Sequence, residues 1–328
     1  EIASAARSAL RPKGATWDAR PTGPPLTTSK ASAGGTSRPP PGLSQGPPGL
    51  SVGPPGLSAG AAPFTPGGGG GKEAKFDLHG DAARGGDVPR APAALGLRAD
   101  RRKGLTVLQD GMVLLRGALD PHVQQAVIDL VREISLSEAG FYTPKTRGGS
   151  MHLQMMCLGK HWNPVNGRYE ERRSNVDNMP TPALPPALWE IVKSAAETAS
   201  EACASVPSIS PGVCLVNHYT HSGRLGMHQD RSERADTLRR GSPVVSISIG
   251  DACEFGYSDS RPEEVDAALA ALGGGDKVKS VRLDSGDVLI FGGPSRMLFH
   301  GVNKIFPNHR PKGLVLAPGR LNLTFREL

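Results

Sequence analysis

RLNLTFR, residues 320–326, alternates polar and apolar side chains. In an extended chain successive side chains point to opposite faces, so Leu321, Leu323 and Phe325 share one face and Arg320, Asn322, Thr324 and Arg326 share the other. A strand that turns four polar groups into an interior is destabilised by roughly several kcal/mol unless something there pairs with them. A bound dicarboxylate resolves the conflict, because guanidinium groups grip carboxylates in bidentate fashion.

Moving outward from this strand, the C-terminal half is rich in short β-prone runs. They are VCLVNHY at 213–219, PVVSISIG at 243–250, DVLIFGG at 287–293, RMLFHGV at 296–302 and GLVLA at 313–317. Many short strands separated by Gly/Pro turns imply a sandwich or barrel. Ahead of them, TVLQDGMVLLRGAL from Thr106 reads as strand, turn and strand. DPHVQQAVIDLVREI then opens a helix with Asp120 as N-cap and Pro121 at the first helical position. Val123, Val127, Leu130 and Val131 follow helical spacing, and a second helix is expected from about Pro186 to Ala204. The fold class is thus α+β, mostly β, with flanking helices.

The 328 residues include 42 Gly and 30 Pro, unevenly spread. Between Pro40 and Gly60 the chain runs PPGLSQG, PPGLSVG, PPGLSAG, and a glycine run spans Gly67–Gly71. Two prolines and two glycines per repeat exclude a helix and leave too few apolar groups to offset ordering entropy. Residues 1–103 therefore read as a low-complexity, disordered basic tail, best seen as a solvated spacer, and 104–328 as the folded domain. The tail holds 14 Lys/Arg against 7 Asp/Glu, whereas the remaining 225 residues balance 24 against 24, so the whole net charge of +7 sits on the tail. Its basicity suggests nucleic acid without demonstrating a basic face on the domain. Cys157, Cys203, Cys214 and Cys253 lack metal or disulfide spacing and fit a reducing, intracellular setting, in nucleus or cytoplasm. The Ala/Ser/Arg-rich opening is also compatible with an organellar leader, and no membrane-spanning run is expected.

His228-Gln229-Asp230 forms a His-x-Asp pair after a strand, and His300 ends another strand. Two imidazoles and one carboxylate suit Fe(II), and such a facial set leaves coordination positions open for a bidentate co-substrate and oxygen. His228 and Asp230 point to one face, so His300 must come from a strand adjacent in space. A lone His-x-Asp pair arises often by chance. The two inward arginines add weight, because 2-oxoglutarate carries a carboxylate at each end. The remaining histidines, His79, His122, His152, His161, His218, His221 and His309, read as ordinary polar residues.

Four blocks, in order and spacing, resemble the AlkB family of Fe(II)- and 2-oxoglutarate-dependent dioxygenases over roughly the last 220 residues. They are LVNHY, LGMHQDRSE, SGDVLIFGGPSRMLFHG and RLNLTFR. The resemblance implies a double-stranded β-helix (jelly roll) in which His228, Asp230 and His300 bind iron. It also implies that Arg320 anchors the distal carboxylate of 2-oxoglutarate, and that Arg326, Asn217, Tyr219 and Asn322 complete that pocket. The implied reaction uses O2 to hydroxylate an N-methyl group on a base, such as 1-methyladenine, 3-methylcytosine or N6-methyladenine, releasing formaldehyde and succinate. The implied partner is methylated DNA or RNA, single-stranded or with the base flipped out, and a monomer is the default state.

A nucleotide-recognition lid is expected at about 150–171, with Trp162 and Tyr169 as candidates for base stacking or phosphate contact. Met151, Met155 and Met156 read as strand and core. Ser232 stands where the bacterial repair enzymes resembled here carry an acid thought to touch the base, and Glu233 is the candidate to replace it. Arg147, Lys160, Arg168, Arg172 and Arg173 would form a basic rim around the lid. Two rival readings remain: a related dioxygenase acting on a protein or small molecule, and a catalytically silent nucleic-acid-binding scaffold. Retention of all three metal-type residues and both arginines argues against the second.

Overall fold

In the computed structural model, which describes residues 75–80, 104–137, 139–146, 149–261 and 278–328, the C-terminal alternation forms a central strand. In chain order the elements are β1 (Leu105–Gln109), β2 (Met112–Leu115), α1 (Pro121–Ser137), β3 (Lys145–Thr146), β4 (Gly149–Ser150), β5 (Gln154–Leu158), β6 (His161–Asn163) and β7 (Arg168–Glu170). There follow α2 (Pro186–Ala202), β8 (Val213–Tyr219), β9 (Leu225–His228), α3 (Ala235–Arg239), β10 (Val244–Gly250), β11 (Ala252–Ser258), β12 (Lys279–Leu283), β13 (Val288–Phe291), β14 (Phe299–Phe306) and β15 (Arg320–Arg326).

Seven strands form one sheet in the order β1-β2-β13-β10-β15-β8-β5, and four form a second in the order β12-β11-β14-β9. Pairing is antiparallel throughout, and the non-sequential order is that of a jelly roll. β8, β10 and β15 are buried along their whole length, so both faces of the large sheet need cover. Leu321, Leu323 and Phe325 of β15, with Val245, Ile247 and Ile249 of β10, pack against Val127 and Val131 of α1 and Ile191 and Ala195 of α2. On the other face, Met112, Leu114, Leu289 and Phe291 pack with Phe255, Tyr257, Val302 and Ile305 of the small sheet. Period-two alternation thus divides each central strand between a helix-covered core and an inter-sheet interior.

The helix starts follow from local chemistry. Asp120 Oδ1 accepts from the backbone N–H groups of His122 (2.9 Å) and Val123 (3.0 Å), satisfying donors that the first turn of α1 leaves unpaired. One glycine sets the register of the key strand: at Gly319 φ is +126°, and a Cβ there would lie 2.0 Å from the carbonyl oxygen of Tyr219. Only glycine lets β15 enter beside β8 with Arg320 opposite Tyr219.

Three expectations need correction. GLVLA at 313–317 is not a strand: Gln125 takes up the backbone of Val315 in both directions (2.8 and 3.3 Å), and Ala317 donates to the carbonyl of Leu78. Leu314, Leu316 and Ala317 are buried in an irregular segment, which mimics the composition of a strand without its pairing. The tail boundary at 103 also moves, because residues 75–80 pack on the domain. Leu78 is fully buried, Arg132 grips Asp77 in bidentate fashion (2.5 and 2.7 Å), and His79 Nε2 meets Asp129 at 2.8 Å. A single apolar residue between Asp and His gives no periodic signal for such docking. The rest of the expected tail, 1–74 and 81–103, lies outside the described residues. Finally, the span expected as a lid, 150–171, is not one unit: 154–158 is β5 of the large sheet, whereas β6 and β7 pair in a separate two-stranded sheet. Among the described residues, no helix is long and apolar enough to cross a membrane.

Candidate metal centre

β9 and β14 are neighbours in the small sheet, and their register sets His228 directly opposite His300. The imidazole centroids lie 4.5 Å apart. Asp230, two residues beyond His228, brings Oδ1 to 3.6 Å from His228 Nε2 and Oδ2 to 3.7 Å from His300 Nε2. One donor atom from each residue falls within 4.8 Å of the others. Both rings are oriented from behind: His228 Nδ1–H donates to Gly226 O (2.9 Å) and His300 Nδ1–H donates to Leu298 O (3.1 Å). A carbonyl only accepts, so Nδ1 carries the proton and each Nε2 is left as a lone-pair donor facing Asp230. This backing of histidine by a carbonyl is the arrangement found behind metal-binding imidazoles.

Burial pulls the His300 pKa down to about 4. For His228 burial acts in the same direction, but the Asp230 carboxylate outweighs it and the pKa is raised. Asp230 is held well below the ordinary carboxylate range, since Arg326 and the two imidazoles overcome the burial that would raise it. The chemistry of this donor set fits a divalent iron ion.

The three residues line a cavity of about 390 Å³ together with side chains from both sheets and from the β6–β7 hairpin. Asn217, Tyr219, Arg320, Asn322, Thr324 and Arg326 all line it, as the alternation of β15 and β8 requires. Arg320 is 1% exposed, and its guanidinium lies over the Tyr219 ring, 5.5 Å from the centroid. Nη2 donates to Ser248 Oγ at 3.0 Å, whereas Nε and Nη1 have no hydrogen-bond partner among the described residues. Buried guanidinium donors left open in a cavity are what a ligand carboxylate would satisfy. Asn322 is fixed by Ser246 Oγ (2.8 Å) and Ile247 O (2.9 Å), and in turn its Oδ1 accepts from Thr324 (2.9 Å).

Arg326 lines the same cavity but is already engaged. Its Nε and Nη2 lie 2.9 and 2.6 Å from Asp230 Oδ2, and Nη1 donates to the Tyr169 hydroxyl at 3.2 Å. Tyr169 donates to Glu233 Oε1 at 3.0 Å, and burial keeps its hydroxyl protonated well beyond the ordinary range. Trp162, directly opposite Tyr169 in the β6–β7 hairpin, donates from Nε1 to Ser232 Oγ at 3.0 Å. Both aromatic residues therefore form one wall of the cavity, with the Tyr169 hydroxyl turned into the polar cluster.

Glu233 does not offer a free acid to a substrate. It is 7% exposed, paired with Arg296 at 2.9 Å and 3.4 Å from Arg326 Nε. The expected rim also thins. Arg173 is a buried structural cation, bidentate to Asp177 and set 5.0 Å over the Tyr142 ring. Lys160 is bound to Glu171 at 2.7 Å, Arg172 donates to Asn178 O, and Arg147 lies outside the described residues, while Arg168 is exposed on the hairpin itself. Ser246, Ser248 and Arg296 were not anticipated. The two serines alternate with Val245, Ile247 and Ile249 in β10, so the period-two reading applied to RLNLTFR would have found them. Arg296 follows a short 3-10 turn and has no such signature.

Residues 111–326 match the family model described as the 2OG-Fe(II) oxygenase superfamily. The chain is 40% identical over 256 residues to the DNA N(6)-methyladenine demethylase ALKBH1C of Arabidopsis thaliana, covering 72% of this chain and 53% of that protein. It is 35% identical over 243 residues to the alpha-ketoglutarate-dependent dioxygenase AlkB homolog of Caulobacter vibrioides, covering 73% of this chain and 96% of that one. The solved structure of OsALKBH1 superposes with a TM-score of 0.61 at 42% identity, covering 68% of this chain and all of that chain. The chain spans about half the length of the Arabidopsis relatives it matches.

Proposed function

The chain belongs to the 2OG-Fe(II) oxygenase superfamily and, within it, to the AlkB family, and from that footing we propose that it oxidatively demethylates N-methylated nucleic-acid bases. Family members of this kind use Fe(II), with 2-oxoglutarate and O2 as co-substrates. The observation that carries the proposal is one cavity lined by three elements: a His-Asp-His set, a buried guanidinium with two donors that lack a partner among the described residues, and an aromatic hairpin wall. We assign His228, Asp230 and His300 as the iron ligands. Arg320 is assigned as the anchor for one 2-oxoglutarate carboxylate, with Asn217, Tyr219, Asn322 and Arg326 lining that pocket. Trp162 is assigned to the base.

When bound, iron and 2-oxoglutarate supply oxygen activation coupled to decarboxylation to succinate and CO2, so that the N-methyl carbon is hydroxylated and leaves as formaldehyde. The protein's part is positioning. The carbonyls of Gly226 and Leu298 fix the imidazole tautomers, Arg326 fixes the carboxylate of Asp230, and the apolar faces of Leu215, Phe255 and Phe291 exclude water around the reacting end. A base must leave its stack to reach this depth, which supports single-stranded nucleic acid or a flipped base as the substrate form.

The charge distribution favours a neutral methylated base. 1-Methyladenine and 3-methylcytosine are cationic at neutral pH, and a nearby unpaired carboxylate would help to bind them. Here Asp230 and Glu233 are both paired with guanidinium groups, and Ser232 is neutral. N6-Methyladenine is the preferred base on this reading, in line with the activity for which ALKBH1C is named. The four cysteines are free thiols, which supports a reducing, intracellular setting.

The test is formaldehyde and succinate release from single-stranded oligonucleotides carrying each of the three bases, with His228→Ala as control. Fastest turnover of N6-methyladenine, lost in the control, is expected. Succinate without formaldehyde would transfer the enzyme to a different substrate class, and no turnover with iron bound would refute the catalytic reading.

A further inference from the structure

Arg296 has no place in the cavity wall, yet it is 2% exposed and among the largest fully buried side chains. Its guanidinium donates in three directions: Nε to Ser242 O (2.8 Å), Nη1 to the backbone carbonyl of Asp230 (2.6 Å) and Nη2 to Glu233 Oε2 (2.9 Å). The next two residues reach the same region. Met297 O accepts from Gln229 Nε2 at 2.6 Å, and Leu298 O holds the His300 ring. Three consecutive residues, 296–298, therefore each fix one part of the constellation formed by β9, its following turn and β14.

The far side of Glu233 continues the network. Its Oε1 accepts from Tyr169, whose oxygen accepts from Arg326, and Arg326 grips Asp230 Oδ2. Asp230 is thereby held twice, at its main chain by Arg296 and at its carboxylate by Arg326, with Glu233 joining the two arginines. Tyr169 belongs to the hairpin wall, so the same network ties that wall to the metal carboxylate.

We propose that Arg296 is a positioning residue for the metal centre, setting the Asp230 turn from behind and coupling it, through Glu233 and Tyr169, to the β6–β7 hairpin. The proposal rests on the reading of His228, Asp230 and His300 as a metal site. A lysine keeps the charge but cannot reach three divergent acceptors, because its single ammonium lacks the planar fork. Groups that orient metal ligands typically change metal affinity by about 10–100-fold when altered.

The experiment is an anaerobic titration of the full chain with Co(II), a redox-silent stand-in, followed by calorimetry and by the visible ligand-field bands. Wild type, Arg296→Lys and Tyr169→Phe are compared after circular dichroism shows each to be folded, with Arg282→Lys as a control outside the network. Arg296→Lys is expected to bind Co(II) at least about tenfold more weakly with altered bands. Tyr169→Phe should weaken binding about two- to fivefold, the loss of one or two hydrogen bonds. Affinity within twofold of wild type and unchanged bands in folded Arg296→Lys would overturn the proposal. Should that variant fail to fold, unchanged affinity in Tyr169→Phe overturns the coupling. Absence of Co(II) binding by wild type refutes the metal site itself, a separate outcome.

Discussion

Replacing Arg320 by Met should move two measurements in opposite directions. Arg320 is buried, with one hydrogen bond to Ser248 and two guanidinium nitrogens that have no partner among the described residues. Each unpaired buried donor costs roughly 1–3 kcal/mol, and the Ser248 bond and the Tyr219 ring contact return only about 1 kcal/mol each. Methionine has no polar groups to desolvate, so the ligand-free variant should be as stable as wild type or up to about 2 kcal/mol more stable. The bound state reverses the sign. Two charge-assisted hydrogen bonds to a carboxylate are worth about 1.5 kcal/mol or more each, so their loss should weaken 2-oxoglutarate about a hundredfold or more. Urea unfolding with Mn(II), with and without 2-oxoglutarate, reads both quantities. At a ligand concentration of about a hundred times its Kd the wild type gains about 2.7 kcal/mol, and the variant should gain little. If Arg320→Met loses several kcal/mol without ligand, or keeps the wild-type ligand shift, Arg320 is a structural residue and the assignment of the anchor fails.

His218 supplies a pH prediction away from the metal. Burial pulls its pKa from 6.5 to about 4, so the unfolded chain takes up the proton first. Its contribution is intact above about pH 6.5 and is lost as pH falls towards 4, amounting to about 3 kcal/mol. His218→Leu should flatten the acid limb of urea midpoints measured from pH 7.5 to 4.5, and an unchanged limb refutes the cause. Leu78→Ala should cost about 2–5 kcal/mol in the same assay, because Leu78 is fully buried in the helix-side core; a loss below about 1 kcal/mol would mean that residues 75–80 do not dock. Trp162→Ala should raise the KM for a methylated oligonucleotide about tenfold, by the loss of base stacking, while leaving the KM for 2-oxoglutarate within about twofold. Ser232→Asp should shift turnover towards cationic 1-methyladenine, and an unchanged preference between the bases would remove charge as the selector.

Much of the site was legible because it lies on strands. In β15 and β8 the period of two sorts cavity residues from core residues, so Arg320, Asn322, Arg326, Asn217 and Tyr219 could be assigned to one interior from spacing and resemblance. The His-x-Asp pair was read by the rule that alternate residues share a face, although Asp230 lies just after β9, and β9–β14 pairing supplied His300. What escaped reading depends on partners distant in sequence. Glu233 looked like an accessible acid because nothing near it in the chain shows that Arg296, 63 residues away, and Arg326 converge on it. Arg173 looked like a rim cation because its partners Gly140 and Tyr142 lie on a different segment. Residues 75–80 looked like tail because a single buried leucine and the contacts of Asp77 and His79 with α1 carry no periodicity. Composition likewise made GLVLA resemble a strand, although a helix side chain and Leu78 occupy its backbone groups.

The buried charges also bear on why metal and co-substrate belong to one cavity. Two guanidinium groups, Arg320 and Arg326, and two carboxylates, Asp230 and Glu233, are buried in its wall, and a third buried guanidinium, Arg296, stands behind it. Asp230 and Glu233 are matched by Arg326 and Arg296, so the surplus positive charge resides on Arg320. A divalent ion alone would add two more charges to a poorly hydrated pocket, at a heavy electrostatic cost. A dianionic co-substrate cancels the ion's charge and meets Arg320, so each should bind more tightly in the presence of the other, and by the same factor. One positive charge then remains. It opposes entry of a cationic base, is indifferent to a neutral one, and favours a phosphate near the mouth. Under the proposed function, the same charge balance should disfavour 1-methyladenine relative to N6-methyladenine, and raising ionic strength should relax that selection less than it weakens phosphate contacts, because buried charges are screened least.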